Sequence, residues 1–275
     1  MTHPHGLEHD LATLSRKLHE RRIQERRQAL LWLAAGGAAI GLAASVPDDA
    51  TSSSSACAAA PQETNGPFPS DGSNTAQGAP SDILRSSGIV RRNIRSSFGT
   101  AAAIAPGVPV VLTLRLVGVG SGCAALADHA VYVWQCDSDG QYSLYGSRLE
   151  NQNYLRGVQV SDERGQVTFE TIFPACYSGR YPHIHIEVYP SLAAAVVYTR
   201  ALLTTQLALP GAICAAVYDH CDLYRASIAN FAQVSAATDR VFAASSPTQL
   251  AAQTPAFEGS VATGFTGTIT IGVPG

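Results

Sequence analysis

Lysine runs out early: after Lys17, none of the 275 residues is a lysine. Charge of either sign is sparse at 14%, and the chain has a single methionine and two tryptophans. Six basic side chains (Arg16, Lys17, Arg21, Arg22, Arg26, Arg27) and four acids fall in residues 1–27, leaving a formal balance of −5 over residues 28–275. A mildly acidic, lysine-free body has no basic stripe to track a phosphate backbone, so no nucleic-acid partner is expected. The 46% apolar content argues against disorder throughout, and 275 residues are enough for one good-sized core or two small ones.

The first segment reads as an address rather than as fold. Arg26-Arg27 precedes an uncharged run that reaches Pro47, followed by small and polar residues. This is the order of an export signal, and the paired arginines favour the twin-arginine route. The run is close to the roughly 20 residues a bilayer needs, so a retained anchoring helix is the alternative. Gly36, Gly37 and Gly41 dilute its hydrophobicity and favour cleavage, without stable membrane insertion. Lipid attachment at Cys57 fits poorly, because Ser54-Ser55-Ala56 lacks the usual large aliphatic residue. The expected location is outside the cytoplasm, extracellular or periplasmic. Six cysteines fit an oxidising compartment but allow 15 pairings; Cys214 and Cys221 are close enough in sequence for a local bridge.

Residues 48–82 are rich in Ser, Ala, Gly, Pro and Asp and read as linker and extended arm. The domain then runs over 83–275. From Val108 the apolar period is that of strands, in "VPVVLTLRLVGV", "HAVYVWQC", "QVTFETIF" and "HIHIEVY", with a turn at Asp137-Ser138-Asp139-Gly140. Pro210 can open a helix over "GAICAAVYDHC", a second short helix fits "LYRASIANFAQVSAATDRVF", and "EGSVATGFTGTITIGV" returns to strand. The expected fold is mainly β, a β-sandwich with a short helical excursion near 210–240.

His183 and His185 stand two apart on an expected strand, so both imidazoles project from the same face. Tyr177 leaves a bend begun by Pro174, and Tyr142 follows the turn after the strand that carries Trp134. A phenolate is a hard anionic donor and imidazole a borderline one, so such a set suits a trivalent Lewis-acidic ion, Fe(III), better than zinc.

Four motifs resemble the intradiol ring-cleavage dioxygenases, the family of catechol and protocatechuate dioxygenases. They are Arg180-Tyr181-Pro182-His183-Ile184-His185, Thr171-Ile172-Phe173-Pro174-Ala175-Cys176-Tyr177, the run from Trp134 through Gly140 to Tyr142-Ser143, and Glu63-Thr64-Asn65-Gly66-Pro67-Phe68. The resemblance extends from about Glu63 to Tyr189 and more loosely to the end. It implies the family's β-sandwich and a non-haem Fe(III) held by Tyr142, Tyr177, His183 and His185. It also implies that Arg180 stabilises charge beside the substrate, that Phe68 faces the substrate and that Tyr177 gives way to it. The implied substrates are a catechol and dioxygen, and the product is a muconate-type diacid cut between the two hydroxylated carbons.

Several positions depart from the family pattern. Gln135 stands where many relatives have His, and Phe68 where the arm often has Tyr. The interval from Tyr177 to His183 is short, and no helical dimerisation domain precedes the sandwich. With the export signal, these features resemble the secreted branch. The sequence leaves the oligomeric state open, as it does the choice of catechol, which rests on walls from loops such as 143–157 and 196–210. Two other readings compete. One is a non-catalytic transthyretin-like binding module with a vestigial or structural metal; the other is an extradiol or cupin-type site with Glu187 as a third ligand. For Arg180 the competing role is a structural salt bridge, for example to Glu187.

Overall fold

A computed structural model of the chain describes residues 57–275. The expected export signal over 1–47 lies outside these residues. Among the described residues no helix is long and apolar enough to cross a membrane.

The strands run in the order β1 (Asp71–Ala76), β2 (Ala79–Asp82), β3 (Pro109–Gly118), β4 (Ala124–Ala125), β5 (Ala130–Trp134), β6 (Arg156–Val160), β7 (Gln166–Ile172), β8 (His183–Tyr189) and β9 (Leu203–Ala208). Helices α1 (Gly211–His220), α2 (Arg225–Phe231) and α3 (Pro247–Ala252) follow, then β10 (Ala256–Ser260) and β11 (Gly264–Val273). The expected mainly-β sandwich with a helical excursion is present. Leu203–Ala208, which falls in the 196–210 stretch expected as loop, is instead a strand paired along β8 from His183↔Ala208 to Val188↔Leu203.

One sheet runs β10-β11-β3, with β7 and the short β4 also paired to β3. The β11–β3 pair is parallel, Phe265 opposite Val110 through Val273 opposite Gly118. The other sheet has the order β6-β5-β8-β9. Between them lies the core: Val110, Leu112, Leu114, Leu116, Val167 and Phe169 from one side, and Val131, Val133, Ile184, Ile186 and Val188 from the other. Each of these side chains contributes about 1.5–3 kcal/mol by leaving water.

The second sheet's other face is covered as well, since every residue of β5 and β8 is buried. The segment expected as linker and arm is, from residue 57, part of this cover. The Ala60 N–H ties the segment's start to the first sheet by donating to the Gly272 carbonyl of β11, while at the second sheet the Glu63 N–H donates to Thr204 and the Tyr132 hydroxyl to the Pro69 carbonyl, and β1 and β2 form a hairpin. A disulfide joins Cys57 to Cys123 across 66 residues. The local Cys214–Cys221 bridge that the sequence spacing allows does not form, and both thiols are free. Cys214 lies within α1 and Cys221 caps it. Seven steps of helical rise put them about 10 Å apart, beyond disulfide reach.

Candidate metal centre and active site

The covered face of the second sheet is read most simply along one rung. Arg156 opposes Trp134, Trp134 opposes His185, and His185 opposes Gln206. Directly opposed residues in antiparallel strands share a face, so these four project together, with His183 one step along β8. The His185 ring lies flat on Trp134, with centroids 4.7 Å apart and planes 7° apart. The two imidazoles stand 4.8 Å apart, on one face as the alternation requires.

Tyr142 comes from the turn after β5. Asp137 Oδ1 accepts from the backbone N–H groups of Asp139 and Gln141, which folds the turn back on itself. Gly140 has φ +77, and a Cβ there would meet Tyr177 Cβ at 3.0 Å. Glycine at that point lets the two tyrosine-bearing segments approach each other.

Tyr177 is held from the helical side. The Tyr218 and Tyr224 hydroxyls donate to the Pro174 and Phe173 carbonyls. The Cys176 N–H donates to Ser227 Oγ, and Asn230 Nδ2 donates to the Cys176 carbonyl. The helical excursion therefore buttresses the bend that aims Tyr177.

The two phenols converge on one nitrogen: Tyr142 Oη lies 3.3 Å and Tyr177 Oη 3.1 Å from His183 Nε2. His183 Nδ1 is 2.6 Å from the Tyr181 carbonyl, which can only accept. The proton thus sits on Nδ1 and the lone pair on Nε2 faces the tyrosines. Burial, reinforced by the Arg180 charge, pushes His183 down to about 3. Burial and the neighbouring His183 hold His185 well below the usual histidine range. Both imidazoles are neutral donors at ordinary pH. Burial raises both phenols, Tyr142 further through Tyr177 and Tyr177 further through Cys136, while Arg180 opposes the rise in each.

Two neutral imidazoles and two phenols, packed together and withheld from water, fit a strongly Lewis-acidic cation, whose charge would favour the phenolates that burial disfavours. His185 Nδ1 is buried with no hydrogen-bond partner. No group of three or more His, Cys, Asp or Glu side chains converges among the described residues. The mixed Tyr/His set is the donor cluster the fold offers.

Arg180 is 3% exposed, and its Nε donates to Asp239 Oδ2 at 2.9 Å while Nη2 donates to Gln206 Oε1 at 2.6 Å. Its salt-bridge partner is therefore Asp239 and not Glu187. Glu187 instead accepts from the Tyr189 hydroxyl at 2.7 Å, and burial, with Asp71 nearby, pushes its carboxyl up to about 8. It joins no group with the two histidines, so the extradiol-type ligand set is not assembled. Phe68 packs on Tyr142 with centroids 4.9 Å apart, and Gly66, at φ +71, comes so close to His185 that a Cβ would lie 3.3 Å from Cε1. Gln135 is spent elsewhere, donating to the Ile172 carbonyl and accepting from Thr171.

Sequence reasoning missed Gln206 and Asp239. The β-branched Thr204-Thr205 in "LTTQLA" is a weak strand signal that would put Gln206 on one face with Thr204 and Ala208, whereas Asp239 lies 59 residues beyond Arg180 and carries no local sign.

Residues 100–214 match the family model described as Dioxygenase, a stretch that holds both tyrosines, Arg180, both histidines and Gln206. An intradiol ring-cleavage dioxygenase from Tetranychus urticae superposes with a TM-score of 0.59 at 22% identity, covering 79% of this chain and 95% of that one. This is the intradiol dioxygenase fold. The dioxygenase Tetur07g02040 shares that fold at a TM-score of 0.60 and 21% identity, over 79% of this chain and 95% of its own. No curated protein matches the sequence. Against the intradiol dioxygenases, the resemblance seen in the four motifs and the architecture agree.

Proposed function

We propose that the chain is a non-haem Fe(III) dioxygenase that cleaves catechol-type rings between their two hydroxylated carbons, giving muconate-type diacids. The observation that carries this is the meeting of Tyr142 Oη and Tyr177 Oη at His183 Nε2 beside His185. These four side chains would hold the metal, which when bound supplies Lewis acidity and a redox partner for the catechol ring.

The chain's own residues do the rest. Arg180, fixed in advance by Asp239 and Gln206, offers positive charge to a ring gaining negative charge, without reorganising to do so. Tyr177 is only half-buried where Tyr142 is 4% exposed, so it is the side chain free to turn aside and, as the phenolate that a bound cation would favour, to take a proton at Oη from an incoming catechol hydroxyl and leave as the neutral phenol. Phe68 and Trp134 wall the site with apolar surface and limit water. Export of the protein is part of this reading, supported by Arg26-Arg27 with its uncharged run and by the Cys57–Cys123 disulfide.

The test is loading with Fe(III) followed by catechol. The expected results are a visible tyrosinate charge-transfer band, weakened in Tyr142→Phe, and a muconate product. Protein that stays colourless defeats the iron assignment. A yellow semialdehyde product indicates extradiol cleavage, and a coloured protein that turns over no catechol indicates the binding module.

A further inference from the structure

Arg156 has no exposed surface and no ion-pair partner among the described residues. A buried guanidinium is costly unless its donors are satisfied, and here every partner is neutral. Nε donates to Ser143 Oγ at 3.1 Å and Nη2 to the Ser143 carbonyl at 2.9 Å. Nη1 donates to the Pro69 carbonyl at 2.9 Å and to the Tyr132 hydroxyl at 3.1 Å. The guanidinium carbon also lies 5.4 Å from the centre of the Tyr145 ring, which itself meets Phe68 edge-on at 5.1 Å.

These partners belong to three different pieces of chain. Ser143 directly follows Tyr142, Pro69 directly follows Phe68, and Tyr132 stacks on Trp134, which stacks on His185. Arg156 itself stands on β6 in the same rung as Trp134 and His185. A single rigid fork therefore ties the arm, the turn that carries Tyr142 and the sheet together. Five donors in one plane can span three segments in a way that a point charge such as lysine cannot.

We infer that Arg156 is a positioning residue that sets the place of Tyr142 and Phe68 relative to the histidines by clamping the Pro69 and Ser143 backbones to the second sheet. The part that concerns the metal rests on the function proposed above; the clamp itself does not.

The test compares Arg156→Lys with the unaltered protein by amide hydrogen exchange, and then in the Fe(III)-loaded form. Loss of charged hydrogen bonds to the arm and turn is expected to speed exchange over residues 65–70 and 143–146 by about tenfold or more, while β3 and β11 keep their rates. The tyrosinate band is expected to shift, and KM for catechol to rise by a larger factor than kcat falls. Exchange that quickens evenly along the chain, or not at all in those two segments, overturns the inference. If Arg156→Lys does not fold, Ser143→Ala takes away the acceptor of Nε together with the hydroxyl's own bond to the Tyr154 carbonyl, and exchange must quicken across the guanidinium, at residues 65–70, as well as in the 143–146 turn; an unchanged arm overturns the inference equally. A wild-type protein that stays colourless with Fe(III) defeats the iron reading and leaves the exchange result to decide on Arg156. A coloured wild-type protein with unchanged local exchange in the variant defeats only the clamp.

Discussion

The two sheets of the sandwich use the same period to different ends. In β3 buried and less buried residues alternate, Val110, Leu112, Leu114 and Leu116 inward with Pro109, Val111, Thr113 and Arg115 between them. In β8 all seven residues are buried, Ile184, Ile186 and Val188 toward the core and His183, His185, Glu187 and Tyr189 under the arm and the helical segment. A sheet covered on one face needs only a hydrophobic stripe. A sheet covered on both must satisfy whatever polar groups it buries, and that second cover is where imidazoles, phenols and an arginine are withheld from water.

The largest expected effect on this contrast comes from His183→Ala, which removes the nitrogen on which both phenols converge. The Fe(III)-loaded variant should lose the tyrosinate band and the catechol activity, checked by absorption and oxygen uptake. Asp239→Asn should follow. It leaves Arg180, 3% exposed, beside an amide in place of its carboxylate, and breaking such a buried pair costs about 3–5 kcal/mol, read by denaturant melting.

The same pair has a pH signature. Burial alone would raise the Asp239 carboxyl, but the Tyr181 N–H and the Arg180 guanidinium outweigh it and hold the group below its usual 3.8. Its folded-state pKa is depressed, so its stabilisation is fully present above the unfolded value and is lost as pH falls through the folded one. The wild-type melting point should drop over that acid range, and Asp239→Asn should show less of the drop.

In the first sheet, Leu114→Ala should destabilise by about 2–5 kcal/mol through the cavity it leaves, with the tyrosinate band of the folded protein unmoved. The smallest effect is expected from Thr113→Val. It breaks only the 3.1 Å hydroxyl contact with Thr168 on the outer face and should change stability by less than about 1 kcal/mol in the same melts. A band shift in either first-sheet variant would mean that the two faces are not as separate as their burial indicates.

The parts of the site that could be read early were those within short reach along the chain. Tyr177, Arg180, His183 and His185 span nine residues, and the turn through Gly140 announces Tyr142. Gln206 is hidden because its strand falls in the 196–210 stretch expected as loop. Asp239 lies on a loop whose sequence neighbours say nothing of Arg180. Arg156 in "YLRGVQV" looks like an ordinary strand charge until Pro69 and Ser143 are seen against it. The pairing of Cys214 with Cys221 that their spacing allows fails for the same reason, since nearness in sequence becomes distance once a helix intervenes.

By itself the sequence determined what depends on local geometry: alternation puts His183 and His185 on one face, glycine permits the left-handed turn at 140, and Pro210 opens a helix. Only the tertiary structure decided which face was sealed, which carboxylate holds Arg180, that β11 returns parallel to β3, and that Cys57 finds Cys123. Those outcomes depend on burial and on pairings between residues far apart in the chain, for which the local pattern of side chains carries no period and no signal.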